Sequence, residues 1–222
     1  MSEVTEVPIP YEQRLRASNV DFKLREADAY FGKRGPLHAV LRDLDRRLHE
    51  ADIPYALLGA MAMHLHGHER MTTDLDLLMT REAIDKFKAH CVGRGYVPAF
   101  PGARKAFRET EHGVRIDIIA AGEFPGDGKA KPVSFPNPAQ ASVLIDGISV
   151  ISLPKLIELK LASGMTATHR LKDLGDVTDL IRTLNLPADL ADGLDPSVRD
   201  KYLELWNAMQ EDDPVHEREP RT

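Results

Sequence analysis

The pattern of apolar residues changes at about residue 152, and this change constrains the fold more than any other feature of the sequence. Before it, short apolar runs typical of buried strands alternate with segments whose apolar residues recur every three or four positions. From Leu153 onward only the helical periodicity remains. Mixed strands and helices followed by helices alone predict an α+β protein with two lobes and a cleft between them.

The predicted organisation has four parts. Residues 1–35 are an N-terminal arm or helix, 36–152 an α/β core, and 153–210 a C-terminal helical lobe. Residues 211–222 are charged, contain two prolines and are predicted to be a disordered tail. The predicted strands of the core are Tyr55–Leu58, Leu75–Met79, Tyr96–Phe100, Ala106–Glu109 and Val114–Ala120, with a hairpin at Asp146-Gly147.

Composition excludes several classes of protein. Cys91 is the only cysteine, so an intramolecular disulfide cannot form and a zinc–thiolate cluster is not expected. The formal net charge of −6 argues against a protein that coats nucleic acid, although a local basic cleft is compatible with it. There is no apolar run of membrane-spanning length, and the first ten residues are unlike a secretory signal. We therefore expect a cytoplasmic protein without a membrane partner.

Two aspartates interrupt the second predicted strand. Asp74 and Asp76 lie two residues apart, so their carboxylates project from the same face. Adjacent carboxylates in an apolar strand repel each other and lose hydration, and a divalent cation relieves both costs. The pair therefore predicts a site for Mg²⁺ (or Mn²⁺) with substrate phosphates. Gly59 stands between a strand and a helix, where free backbone N–H groups can face a phosphate.

Asp117 is the third predicted ligand, because it interrupts an otherwise apolar strand. If that strand lies beside the strand of Asp74 and Asp76, three carboxylates converge. Asp117 could then help to hold metal and activate an attacking hydroxyl as a general base. The alternatives are a solvated strand end for Asp74 and Asp76, and a hairpin strand with one wet face for Asp117.

This pattern resembles the metal-binding motif of the nucleotidyltransferase superfamily: a glycine turn, a pair of acids one residue apart, and a third acid on a later strand. Over roughly residues 53–184 the chain is similar to the bacterial AbiEii/MenT-like toxin nucleotidyltransferases and their relatives. The matching positions are Gly59, His66-Gly67, Arg70, Thr72, Asp74, Asp76, Asp117, Lys160, Arg170 and Asp173. The resemblance implies a nucleotidyltransferase-type mixed sheet flanked by helices, followed by a C-terminal helical segment.

The same resemblance implies roles for individual residues. Asp74, Asp76, Asp117 and Lys160 would be catalytic, and the three aspartates would be the metal ligands. Nucleotide contacts are implied at Gly59, Ala60, Arg70, Thr73, Lys160, Arg170 and Asp173. Ala60 departs from the family pattern, since glycine or serine is usual there and alanine offers only its backbone N–H. Lys160 and Asp173 lie on apolar helix stripes, where the alternative is a structural salt bridge between two helices.

The favoured function is transfer of a nucleoside monophosphate from an NTP to a hydroxyl of tRNA, a protein or a small molecule. The enzyme would be the toxin of a toxin–antitoxin pair, with a cognate antitoxin as partner, or a regulatory enzyme. One alternative is a binding module of the same fold with weakened catalysis, acting in a larger assembly. Another is an antibiotic-modifying nucleotidyltransferase, for which Asp173, Asp176 and Asp179 could form an acidic acceptor surface unless they are a solvated helix face.

Three other polar segments are interpreted as structural. His64, His66 and His68 cannot share one face of a helix, so a zinc site is not expected there. The basic run Arg104, Lys105 and Arg108 is predicted to be a solvated hairpin face, with contact to triphosphate or RNA as the alternative. The glycine-rich segment 124–133 is predicted to be a connector, with a mobile substrate loop as the alternative.

Overall fold

The structure is a computed structural model that describes residues 8–211. It divides into two compact units. The first comprises the chain up to Glu123 together with Phe135–Ser152, and the second comprises Phe124–Ser134 and the chain from Leu153. The predicted tail beyond Glu211 lies outside the described residues.

The first unit is built on a seven-stranded mixed sheet in the order β3-β4-β5-β2-β1-β7-β6. The two central pairs that matter most here are the parallel pair β2–β5 and the antiparallel pair β1–β2. The strands are β1 (Ala56–Leu58), β2 (Asp74–Met79), β3 (Tyr96–Pro98), β4 (Ala106–Glu109), β5 (Arg115–Ala120), β6 (Ser142–Ile145) and β7 (Ile148–Ile151).

Apolar and charged residues alternate along β2 and β5, and this alternation gives the two faces of the sheet different character. Leu75 and Leu77 of β2 and Ile116 and Ile118 of β5 are fully or almost fully buried. Because successive side chains point to opposite faces, the residues between them share the other face, which is only half-buried. The sheet therefore has one apolar face at its centre and one face that carries the charged residues.

Among the described residues, which begin at residue 8, six helices belong to the first unit. The longest, α3, begins at Pro36, where the missing N–H is tolerated, and buries Leu37, Val40, Leu41 and Leu44. The Thr80 side chain caps α5 by accepting from the Ala83 N–H. The helices are α1 (Tyr11–Ala17), α2 (Val20–Phe31), α3 (Pro36–Glu50), α4 (Gly59–Leu65), α5 (Arg81–Cys91) and α6 (Pro138–Ala141).

The N-terminal segment packs on the first unit as two helices. The backbone N–H of Tyr11 in α1 donates to the Gly113 carbonyl between β4 and β5, at 3.0 Å. In α2, the hydroxyl of Tyr30 donates to the Arg70 carbonyl at 2.8 Å. Both helices are therefore tied to the loops at the ends of the strands that carry the aspartates.

The part of the second unit that the structure describes contains three helices, α7 (Leu153–Thr166), α8 (Lys172–Leu184) and α9 (Pro196–Glu211), with 3₁₀ turns at Thr168–Arg170 and Ala188–Gly193. Asn185 ends α8 in the left-handed conformation. Segment 124–134 packs on α7: the Lys131 ammonium contacts Asp127 and the hydroxyl of Thr166. This segment is a bonded part of the helical unit, and not merely a connector.

The predicted fold class is confirmed. The first unit is a mixed sheet with helices, and the chain ends in a helical segment. Within residues 8–211, no helix combines the length and the apolar character needed to cross a membrane.

Candidate functional site

The three aspartates lie on one face of the sheet. The parallel register of β2 and β5 sets Asp76 beside Asp117 and Asp74 beside Arg115. Paired residues of neighbouring strands point to the same side, and adjacent strands lie about 4.8 Å apart. The condition for convergence of the three carboxylates, that their strands are neighbours, is therefore met, and a basic side chain stands among them.

Gly59 leaves room for the carboxylate of Asp76. Leu58 pairs with Asp76 across the β1–β2 ladder, which brings the first residue of α4 against the aspartate. A Cβ added to Gly59 would lie 2.0 Å from Asp76 Oδ2 and 2.9 Å from its Cγ, well inside contact distance. Gly59 also has a φ of +65°, which L side chains rarely adopt. The sequence suggested glycine for close approach of a phosphate, and the structure adds that glycine is needed for the aspartate itself.

The segment before β2 orients Asp74. The Thr72 hydroxyl donates to Asp74 Oδ1, while the neighbouring Arg70 carbonyl accepts from Tyr30. Burial raises the pKa of Tyr30 to about 12, so its hydroxyl stays a donor. Thr73 and Arg70, both expected to contact nucleotide, are half-buried in this segment. Their place next to Asp74 follows from chain connectivity, and their roles remain predictions.

Arg115 holds the third carboxylate. Its Nε lies 3.0 Å and 2.8 Å from Asp117 Oδ1 and Oδ2, and its Nη2 lies 3.0 Å from Oδ1. The hydrogen bond that Arg115 donates to Asp117, with the negative charge of Asp117, Asp74 and Glu12, raises the pKa of the guanidinium. Arg115 was not singled out from the sequence. The available signal was its position two residues before Asp117, which places both on one strand face.

The residues fit a divalent cation in chemistry and in register. Carboxylate oxygens are the ligands that Mg²⁺ prefers, and Asp74, Asp76 and Asp117 supply them from one face. Within residues 8–211, however, no three His, Cys, Asp or Glu side chains are gathered closely enough to hold a metal ion. The Asp117 carboxylate is paired with the Arg115 guanidinium. Metal binding at these residues remains a prediction.

One basic residue near the site is buried, which corrects the expectation of a solvated hairpin face. The Arg108 side chain is 5% exposed and contacts Glu12 of α1 at 3.0 Å and the Gly113 carbonyl at 2.6 Å. Burial alone would raise the pKa of the Glu12 carboxyl, but hydrogen bonds from Arg108 hold it below its usual range. Arg104 and Lys105 are exposed, as predicted. Arg108 is also the cross-strand partner of Arg115, so two positive charges lie side by side. Glu12 of α1 compensates the charge of Arg108.

The remaining predicted residues form a buried polar network in the second unit. Lys160 lies 2.5 Å from Asp176 and 3.4 Å from Asp173, and all three side chains are nearly buried. Asp173 also accepts from Ser163 and Arg170, at 2.7 Å and 2.8 Å. Burial alone would raise the pKa of Asp173, but the charge of Lys160 and these hydrogen bonds lower it.

Two acids considered for an acceptor surface belong to this network. Asp173 and Asp176 are buried against Lys160, so they are not part of a solvated helix face, whereas Asp179 is 48% exposed. Ser163 and Asp176 complete a network of which the sequence indicated only Lys160, Arg170 and Asp173. In this unit Lys160, Arg170 and Asp173 contact one another, Ser163 and Asp176, and their roles toward nucleotide remain predictions.

The three alternating histidines have separate surroundings. His66 bonds the Ile151 carbonyl at 2.8 Å, which ties the end of α4 to β7. His64 packs against His38 and Tyr30, with ring centroids 5.7 Å and 4.8 Å away. The contacts of His64 and His66 are those of structural residues.

No protein-family model matches the sequence, and a comparison with curated proteins found no match. Among solved structures, the chain is similar to a candidate nucleotidyltransferase from H. pylori, with 17% identity over 83% of this chain and 96% of that one and a TM-score of 0.43. It is similar to a candidate nucleotidyltransferase from Thermotoga maritima, with 16% identity, coverage of 66% and 91%, and a TM-score of 0.43. It is also similar to ANT(2″)-Ia in complex with adenylyl-2″-tobramycin, with 15% identity, coverage of 75% and 92%, and a TM-score of 0.46.

Proposed function

We propose that the chain is a metal-dependent nucleotidyltransferase that moves a nucleoside monophosphate from an NTP to a hydroxyl acceptor. The observation that carries the proposal is the register that sets Asp74, Asp76 and Asp117 on one half-buried face of β2 and β5. An apolar strand that holds two carboxylates, beside a strand that holds a third, is costly unless cations compensate them. Arg115 supplies one positive charge among these three negative ones.

Asp74 and Asp76 would hold Mg²⁺ or Mn²⁺, and Asp117 would be the third ligand. The bound cation would supply charge neutralisation for the triphosphate and the pyrophosphate leaving group. In the reaction, the acceptor oxygen bonds to the α-phosphorus, and the bond from that phosphorus to the oxygen bridging to the β-phosphate breaks. Pyrophosphate leaves with the electron pair, and the acceptor proton passes to a carboxylate oxygen of Asp117, the residue proposed as general base.

Gly59 supports this function by positioning a ligand. Its missing side chain allows the Asp76 carboxylate to lie against the turn between β1 and α4, and the Thr72 hydroxyl fixes Asp74. Each carboxylate of the pair therefore has its own positioning contact, which favours a preorganised ligand pair over a solvated strand end.

The acceptor class stays open between a tRNA end, a protein side chain and a small molecule. For a macromolecular acceptor we propose a toxin of a toxin–antitoxin pair, or a regulatory enzyme. The roles of Lys160, Arg170 and Asp173 toward nucleotide rest on the sequence resemblance. In the second unit their observed contacts are with one another, with Ser163 and with Asp176.

The test is calorimetric titration of the full chain with each NTP in the presence and absence of Mg²⁺. We expect Mg²⁺-dependent binding by the wild type and none by the Asp74→Asn/Asp76→Asn variant. The matched control is Glu50→Gln/Asp85→Asn, which removes two charges from side chains that are 62% and 79% exposed. Binding that persists in the first variant, or is absent from the wild type, would refute the proposal.

A labelling experiment then identifies the acceptor. Each α-labelled NTP is incubated with the protein and either tRNA or cell lysate, and label transfer is expected for the wild type only. Transfer by the Asp74→Asn/Asp76→Asn variant would exclude the carboxylates from the chemistry.

One observation favours a second function, a binding module that keeps the fold without catalysis. The third carboxylate is held by Arg115 through three contacts, so its charge has a partner without metal. Ala60, which lacks the hydroxyl of a serine, points the same way. Wild-type protein that binds no NTP but is captured by a partner, with capture surviving Asp74→Ala, would select this function.

A further inference from the structure

Arg115 lies where its guanidinium could give way to a metal ion that binds Asp117. It lies on the same sheet face as the three aspartates, beside Asp74 in the register and two residues before Asp117. Its guanidinium is 38% exposed and the Asp117 carboxylate is 29% exposed, so the pair borders solvent. A pair in this setting is worth only about 0–1 kcal/mol to stability, so it can open at small cost.

The same oxygens serve the arginine and any metal. Arg115 contacts both oxygens of Asp117 at 2.8 Å to 3.0 Å, in the forked geometry that guanidinium and carboxylate groups share. A divalent cation needs lone pairs of the same carboxylate and is repelled by a guanidinium at this distance. Occupation of Asp117 by metal and by Arg115 is therefore competitive.

The neighbouring Arg108 cannot compete with a metal in the same way. Arg108 faces Arg115 across the β4–β5 ladder, but its side chain is 5% exposed and is held by Glu12 and the Gly113 carbonyl. Only Arg115 of this pair combines solvent exposure with a partner that a metal would claim. Once released from Asp117, the Arg115 guanidinium could donate to the oxygens of a metal-bound phosphate. Its planar fork matches the spacing of those oxygens.

We propose that Arg115 is a displaceable counter-ion, which holds Asp117 before the cation binds and pairs with the nucleotide phosphates once the cation has taken Asp117. The inference rests on the proposed function and adds to it a residue that links metal binding to phosphate recognition. It explains why the three carboxylates share a face without forming a metal cluster in the described residues. Arg115 is on this account a positioning residue before binding and a phosphate contact after it.

The experiment measures the affinity of the Arg115→Gln variant for Mg²⁺ and for NTP. We expect the two affinities to change in opposite directions. Without nucleotide, removal of the competing charge should tighten Mg²⁺ binding about tenfold. At saturating Mg²⁺, loss of the phosphate contact should weaken NTP binding about tenfold. Arg115→Lys keeps the charge but not the fork, so its Mg²⁺ affinity should stay near wild type and its NTP affinity should fall between the other two.

Two controls separate this role from a structural one. Arg46→Gln removes an arginine that also bridges two carboxylates, Asp43 and Glu50, on the exposed face of α3, and should change neither affinity. In an Asp117→Asn background, Arg115→Gln should no longer tighten Mg²⁺ binding, because the competition is for that carboxylate. Circular dichroism of each variant establishes that it is folded.

The outcomes are distinguishable. If Arg115→Gln weakens both affinities in parallel, or changes neither, while the wild type binds Mg²⁺ and NTP, the counter-ion role is wrong and the proposed function stands. If the wild type shows no Mg²⁺-dependent NTP binding, the proposed function fails and the inference falls with it. Opposite changes in the two affinities, lost in the Asp117→Asn background, would support the exchange.

Discussion

Replacement of Gly59 by alanine should cost far more stability than the same change at another left-handed glycine. Gly59 has a φ of +65°, and an added Cβ would meet Asp76 Oδ2 at 2.0 Å. Gly93 has a φ of +78° with nothing within 4 Å of an added Cβ, so it offers a matched control. The two variants share the backbone term and differ in the contact with the aspartate.

The free-energy cost of placing alanine in the left-handed backbone conformation is smaller than the cost of its contact with Asp76. An L residue in the left-handed region costs about 1–2 kcal/mol, and the reduced entropy of the unfolded chain returns about 0.4–1 kcal/mol. Gly93→Ala should therefore lower the free energy of unfolding by about 1 kcal/mol.

The contact term adds the displacement of a carboxylate. Ordinary contact between a Cβ and an oxygen is about 3.4 Å, so Asp76 must move by more than an ångström, which takes it out of its rotamer. Forcing an extra methyl group into a packed site, with the off-rotamer side chain that results, costs about 1–3 kcal/mol. Gly59→Ala should lower the free energy of unfolding by about 3 kcal/mol in total.

The assay is urea-induced unfolding followed by circular dichroism, with linear extrapolation to water. A double-mutant cycle with Asp76→Ala isolates the contact: in that background Gly59→Ala should cost about 1 kcal/mol, which gives a coupling of about 2 kcal/mol. Equal losses for Gly59→Ala and Gly93→Ala, or a cycle with no coupling, would refute the claim that glycine is required here by the aspartate.

Three further predictions concern buried charges. Lys160→Met removes the buried ammonium that lies 2.5 Å from Asp176 and 3.4 Å from Asp173 and should cost about 3–5 kcal/mol, read from urea unfolding by the fluorescence of the single tryptophan; a loss under about 1 kcal/mol would contradict a structural role. Burial lowers the pKa of both His38 and His64, so stability should be complete above the unfolded value of about 6.5 and decline as pH falls through the lowered folded values. His38→Leu should flatten that decline below about pH 6.5, and an unchanged slope would show that His38 does not contribute to it. Arg108→Met should cost about 2 kcal/mol because the glutamate of α1 loses its buried partner, whereas an unaltered urea midpoint would show that α1 is anchored by other contacts.

Local patterns in the sequence were sufficient to predict the elements that carry the site. In β2 and β5 the period of two places apolar residues on one face and charges on the other, and the structure has both strands. The helices α3 and α5 were evident from apolar stripes, with Pro36 at the start of α3. These signals need only a few consecutive residues, so they survive without knowledge of the tertiary structure.

The features that the sequence did not reveal depend on residues far apart in the chain. Arg108 reads as a surface residue within its own hairpin, and its burial comes from Glu12, 96 positions away. Segment 124–133 has the sequence of a connector, and its contact with α7 comes from Lys131, which is 35 positions before Thr166. An arginine on a half-exposed strand position is common, so Arg115 became informative only through the register that sets it beside Asp74.

The register of β2 against β5 is fixed by burial of the apolar face of the sheet. A slip of β2 against the sheet by one residue would exchange its faces, so that Leu75 and Leu77 became exposed and Asp74 and Asp76 entered the core. A slip by two residues keeps the faces but moves Asp76 about 6.6 Å along the strand from Asp117. Only the observed register both buries the leucines and sets the second aspartate beside the third. Convergence of the acids is thus enforced by apolar burial that is independent of metal, so the carboxylates repel one another on an already folded sheet. The register therefore brings the carboxylates to one face without the help of a metal, and the Arg115 guanidinium contacts Asp117 there.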